Sequence, residues 1–138
     1  MPLTLTITEG VLPKGQEKVA FAKLSELMLK HHNALGNAKM TANIVGSVHV
    51  VPKDSTFTGM QETPVIFAEW KVPPFAFATR DIQRGYFREA TDYLHNLTGG
   101  KQPKDKIFIN VVHTVDGAWN LDGQAMTSEE IQAAVANS

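Results

Sequence analysis

The order of hydrophobic periods constrains this chain most: strand, helix, strand, and then the same series again. In the first eight residues Leu3, Leu5 and Ile7 alternate with Thr4, Thr6 and Thr8, the period of a strand with one buried face. Pro2 opens that strand, a place where proline is tolerated because it need not donate to the ladder. A turn through Glu9-Gly10-Val11-Leu12-Pro13 leads into a helical pattern from Lys14 to about Leu35. There Ala20, Leu24, Leu27, Met28 and His31 recur at three and four residues, with Lys18, Lys23, Glu26 and Lys30 mostly on the other side. Gly36-Asn37 reads as the end of the helix. Thr41 to Pro52 reads as a strand centred on Val48-His49-Val50-Val51.

The second series follows a polar loop or short hairpin at Lys53 to Glu62. Pro64 to Trp70 is a strand, and Val72-Pro73-Pro74-Phe75 must be a connection. Thr79 is the expected N-cap of a helix whose stripe is Ile82, Tyr86, Ala90, Tyr93, Leu94 and Leu97. Gly99-Gly100 ends it, and Lys106 to Thr114 is a strand. The prolines that open the two units lie about 62 residues apart. The expectation is an α+β fold in a single domain over 1–138, with a doubled β-α-β unit whose halves are 2–62 and 63–138. A four-stranded sheet would carry two helices on one face. A short C-terminal helix would follow the capping box Thr127-Ser128-Glu129-Glu130. Ile107, Phe108, Ile109, Val111 and Val112 make the last long strand apolar on both faces. An uncovered apolar sheet face predicts oligomerisation.

Composition narrows the function. A net charge of −1 without a long basic run argues against nucleic acid or an anionic membrane as partner. The absence of cysteine excludes disulfides, thiolate catalysis and thiolate zinc sites, and fits a reducing, cytoplasmic compartment. No apolar run reaches the ~18 residues of a membrane span, and no signal peptide precedes the first strand. His31, His32, His49, His95 and His113 lack metal-ligand spacing, so neither metal nor cofactor is expected. His49 and His113, both in strands, read as satisfied core residues.

Three segments resemble the tautomerase superfamily, proteins with an N-terminal proline built from two βαβ units that form trimers. Pro2-Leu3 follows the initiator Met. Val48-His49-Val50-Val51-Pro52, with its polar loop and the Pro64 strand, is similar to the macrophage migration inhibitory factor subgroup. So are Asp105-Lys106-Ile107-Phe108-Ile109-Asn110 and Ala118-Trp119-Asn120, although the glycine of that last segment is Ala118 here. Val115-Asp116-Gly117-Ala118-Trp119 more loosely resembles the malonate semialdehyde decarboxylase subgroup. The resemblance implies a homotrimer that binds a small carboxylate.

Four residues are candidates for chemistry. Methionine before a small residue is normally trimmed, which would leave Pro2 as a secondary amine; with Met1 retained, Pro2 is an amide without basicity. A free amine titrates near pH ~8, and desolvation or a nearby cation lowers that towards neutrality, suiting it as a general base. Arg80, in the first turn of the second long helix, reads either as a solvated arginine or as an anion ligand working with the free N–H groups of the helix end. The resemblance implies the second role, holding a substrate carboxylate. The second arginine common just before it is absent from Phe77-Ala78-Thr79. Asn110 reads as a buried amide satisfying backbone groups or, by resemblance, as a substrate ligand. Trp119 reads as packing or as a pocket wall that excludes water. Where the superfamily's cytokine-like members carry a tyrosine and a lysine, this chain has Phe108 and Thr41, and no water-handling aspartate stands near Asn43. The expected function is a keto–enol tautomerase acting on a small 2-keto or 2-hydroxy-enol carboxylate. The alternatives are a non-catalytic trimeric binding protein and a superfamily decarboxylase or hydratase.

Overall fold

The structure, a computed structural model, describes residues 1–136. Strand β1 (Pro2–Thr8) leads to helix α1 (Glu17–His31), a short helix α2 (Ala38–Ala42) and strand β2 (Val45–Val51). A small hairpin, β3 (Phe57–Thr58) and β4 (Gln61–Glu62), precedes β5 (Ile66–Val72), helix α3 (Arg80–Leu97) and β6 (Ile107–His113). The tail is a second hairpin, β7 (Trp119–Leu121) and β8 (Gln124–Met126), followed by α4 (Ser128–Ala136). The main sheet has the order β2-β1-β5-β6. Each β-α-β unit contributes one parallel pair, and the two units join antiparallel through β1 and β5.

The alternation in β1 sets the layers. Leu3, Leu5 and Ile7 turn to the helix side, level with Ala68 and Trp70 of β5, and all are buried. Against them pack Ala20, Leu24 and Met28 of α1 and Tyr86, Ala90 and Leu94 of α3. Polar groups inside this core are paired, as burial requires. The Trp70 indole N–H donates to the Tyr86 hydroxyl at 2.8 Å, which donates to the Leu24 carbonyl at 3.0 Å. Burial pushes the Tyr86 phenol well above its usual range. Gly85 lets the two long helices approach: a Cβ there would lie 2.9 Å from the His31 ring.

Helix α1 stops at His31, earlier than the sequence period indicates. Asn33 adopts a left-handed φ of 53°, and the Ala34 N–H reaches back to the Leu29 carbonyl at 2.8 Å. These are the marks of a Schellman C-terminus with Asn in place of Gly. Asn37, expected to help end that helix, instead starts α2, its side chain accepting the Met40 N–H at 2.9 Å. Residues Thr41 and Ala42 are therefore helix, and strand begins at Val45.

The other sheet face also departs from expectation. It presents Pro2, Thr4 and Thr6 of β1, Ser47 and His49 of β2, Phe67, Glu69 and Lys71 of β5, and Phe108, Asn110 and Val112 of β6. It is mixed rather than apolar, because the alternation in β1 and β5 and the first half of β6 turns the aliphatic residues towards the helices, while Val45 and Val112 stay exposed on the open face. Its apolar part is local: the Phe67 and Phe108 rings lie 5.6 Å apart. At the end of the chain the capping box forms as expected. The Glu130 N–H donates to Thr127 Oγ1 at 3.2 Å and the Thr127 N–H to Glu130 Oε1 at 3.1 Å.

Candidate active site

Thr79 fixes the start of α3: its hydroxyl oxygen accepts the Ile82 N–H at 3.3 Å. Arg80 is therefore the first helical residue, and Arg84, one turn on, shares its face. That face borders a cleft of about 380 Å³ between α3 and β6, the outer strand of the sheet. Phe77, Arg80, Gln83, Arg84, Phe87, Asn110, Val111 and His113 line it. Among the described residues the lining holds two guanidinium groups, two amides and an imidazole but no carboxylate, and a helix N-terminus stands beside it. Such a lining attracts an anion, and a planar carboxylate fits the fork of an arginine.

Of the residues singled out by sequence, the fold brings together Arg80 and Asn110. Asn110 is exposed on the open sheet face rather than buried, so no backbone group requires its amide. Trp119 does not line this cleft; it is half-buried against the core, in the β7–β8 hairpin. Pro2 lies in β1, on the same sheet face as Asn110 but two strands away. Strand spacing and rise put the two Cα atoms roughly 12 Å apart within one chain.

Sequence reading missed two residues here. Arg84 lines the cleft one turn after Arg80, and the i,i+4 spacing was the available signal. His113, expected in the core, is exposed, and its Nε2–H donates to the Ala76 carbonyl at 2.7 Å. His49 is exposed too, paired with Ser47 at 2.9 Å. Among the described residues no group of His, Asp and Glu side chains is placed to hold a metal ion.

The start of β1 desolvates an amine. Met1 is only 4% exposed, its side chain packs into the core, and its amino group contacts the Asn43 carbonyl. Burial lowers that amino group to about 6. Burial also lowers His32, whose Nδ1–H donates to the Met28 carbonyl at 2.7 Å. Both groups are held neutral by folding and take up protons on unfolding. The unfolded chain thus binds more protons between pH 8 and about 6 through the amine, and below about 6.5 through His32. For the chain carrying Met1, thermal unfolding at pH 5.5 is therefore expected at a lower Tm than at pH 8. A Tm independent of pH over that range would contradict the burial of both groups.

No family model and no curated protein sequence matches the chain. Solved structures do match over nearly its whole length. Pt0534 inactivated by 2-oxo-3-pentynoate superposes with a TM-score of 0.75 at 14% identity, covering 95% of this chain and 98% of that one. A fused 4-OT wild-type symmetric trimer matches at 0.75 and 8% identity, covering 94% and 97%. FG41 malonate semialdehyde decarboxylase inhibited by 3-bromopropiolate matches at 0.71 and 10% identity, covering 97% of each chain. With its two β-α-β units sharing one four-stranded sheet, the chain has the fold of the tautomerase superfamily.

Proposed function

We propose that this protein is a cytoplasmic, homotrimeric, cofactor-independent keto–enol tautomerase acting on a small 2-keto or 2-hydroxy-enol carboxylate. The observation that carries the reading is the cleft lined by Arg80, Arg84, Asn110 and His113, with Glu69 across from Asn110 in the sheet and paired to Lys71 at 3.9 Å. Arg80 and Arg84 hold the substrate carboxylate. Pro2, freed by removal of Met1, takes the proton from the carbon α to the carbonyl. The electron pair moves to the carbonyl oxygen, where the Asn110 amide stabilises the developing enolate. The prolinium returns the proton to that oxygen, and the reverse sequence gives the keto form. Trp119 would wall the pocket in the assembled protein. Two similar structures carry small carboxylate reagents, 2-oxo-3-pentynoate and 3-bromopropiolate, which supports an acid as substrate.

Assembly bears on the mechanism because Pro2 and Asn110 of one chain are too far apart to share a small molecule. A trimer would bring the β1 start of one subunit towards the cleft of another. The unpaired outer edges of β2 and β6, the exposed Phe57 and Met60 of the β3–β4 hairpin, and the trimeric fused 4-OT support this. Sedimentation at micromolar concentration is expected to give a trimer; a stable monomer would refute the assembly.

Arg80→Ala is expected to raise KM for a carboxylate substrate roughly tenfold or more, with a smaller fall in kcat, from the ~1.5–3 kcal/mol of a hydrogen bond to a charged group. Turnover of phenylpyruvate and of 2-hydroxymuconate-type enols, followed by ultraviolet absorbance, reads both constants. Unchanged kinetics would return Arg80 to the solvated surface. The non-catalytic reading is favoured by one observation, the packing of Met1 into the core, which in that state leaves Pro2 an amide. A superfamily decarboxylase or hydratase would need a carboxylate to handle water; the lining residues supply none, and Glu69 is the cross-strand partner of Asn110.

A further inference from the structure

The rim of the cleft is a turn that a bulky residue would not adopt unaided. Phe77 is fully buried with φ at 53°, in the left-handed region. Hydrogen bonds hold it there. Its N–H donates to His32 Nε2 at 2.9 Å, and its carbonyl accepts Gln83 Nε2–H at 2.8 Å. The His32 ring meets the Phe77 ring edge-on at 4.8 Å. Gln83 then uses its other amide atom: Oε1 accepts the Arg80 Nη1–H at 2.9 Å.

The series runs in one direction only. The Met28 carbonyl requires a proton on His32 Nδ1, which leaves Nε2 as the acceptor for Phe77. The Phe77 carbonyl requires the NH₂ of Gln83, which turns its oxygen to Arg80. One imidazole tautomer and one amide orientation satisfy every link. His32 itself lies outside the cleft, at the C-terminus of α1.

We propose that His32 is a positioning residue for carboxylate binding: acting through the Phe77 turn and the Gln83 amide, it sets the guanidinium of Arg80 across the cleft. The inference rests on the reading of Arg80 as the carboxylate ligand. A ring that merely filled space would be replaceable by any side chain of similar bulk. A ring acting through its Nε2 acceptor is replaceable only by a group that puts an acceptor at that point. Glutamine places its amide near the ring's Nε2 position, whereas asparagine places it near Nδ1.

The test compares wild type, His32→Gln and His32→Asn by two readouts. Hydrogen exchange of the Phe77 amide, followed by nuclear magnetic resonance, reads the turn without reference to activity. Steady-state kinetics with phenylpyruvate read the cleft. His32→Gln is expected to keep slow exchange and a KM within about threefold of wild type. His32→Asn is expected to exchange rapidly at Phe77 and to raise KM roughly tenfold, with kcat changed less than threefold. Combined with Arg80→Ala, His32→Asn should add little further, because both act on one contact. Equal KM values for the two His32 variants, or an unchanged Phe77 exchange rate in His32→Asn, would overturn the proposal. Should the wild type turn over no enol, the tautomerase reading fails separately. The same proteins are then compared by dissociation constant for phenylpyruvate, read from the Arg80 side-chain signal. Weakening in His32→Asn alone supports the proposal; equal constants, or no binding to any of them, overturns it. If His32→Asn does not fold, Gln83→Met cuts the series one link nearer Arg80, and an unchanged KM or dissociation constant there would also overturn it.

Discussion

Protein that keeps Met1 is expected to turn over enol substrates at least ~10²-fold more slowly than protein from which it has been removed, the range general-base catalysis supplies. With Met1 in place the Pro2 nitrogen is an amide, and an amide takes up no proton near neutral pH. Once Met1 is gone, the same nitrogen is a cyclic secondary amine in β1. The surroundings there disfavour a cation. Burial brings the Met1 amine of this segment down to about 6. The same desolvation would enlarge the neutral fraction of a Pro2 amine at pH 7. Intact mass separates the two forms, and the ultraviolet assay on each gives the ratio. Equal rates would place the base elsewhere.

Gly46→Ala is expected to cause the largest loss of stability. Gly46 pairs with Leu3 across β1 and β2. A Cβ there would lie 1.9 Å from the Leu3 carbonyl oxygen and 2.9 Å from a Phe21 ring atom. The oxygen is backbone in a strand with neighbours on both sides, so it cannot move without breaking the pairing. The cost is about 3 kcal/mol, at the upper end for overpacking. For a chain of this size that lowers Tm by roughly 10 °C. Because Leu3 adjoins Pro2, activity should fall with it. Thermal unfolding followed by circular dichroism reads the shift, and an unchanged Tm would mean that β2 pairs with β1 in another register.

Much of the fold was legible because a single physical pattern, alternation or a 3.6-residue period, sufficed to specify it. Leu3, Leu5 and Ile7 against three threonines, the Thr79 cap and the Thr127–Glu130 capping box each carry their own local signal. Features that need two parts of the chain were less legible. Asn37 was read as the companion of a helix-ending glycine, although its side chain serves as an N-cap once Asn33 has ended α1. The open sheet face looked apolar because Ile107 to Val112 is apolar in every position but Asn110. Only the pleat separates Ile107 and Ile109 from Phe108 and Asn110.

The candidate site divides in the same way. Arg80 and Asn110 were each visible as polar residues at a helix start and in a strand, and the fold sets them on one cleft. Arg84 shares the cleft with Arg80 by its i,i+4 spacing, but only the packing of α3 beside β6 shows which helix face the cleft occupies. The tie from His32 to Phe77 joins residues 45 positions apart, and no local pattern announces it.

The measurement closest to the central claim is covalent labelling with 3-bromopropiolate, a carboxylate that reacts with a neutral amine. The labelled protein is digested and its peptides weighed, and residual turnover is followed in parallel. The account predicts one adduct, on Pro2, and loss of activity at the same rate as labelling. It also predicts protection by substrate, and a labelling rate that falls as pH drops below neutrality. An adduct elsewhere with Pro2 untouched, or full activity in protein whose mass retains Met1, would contradict it.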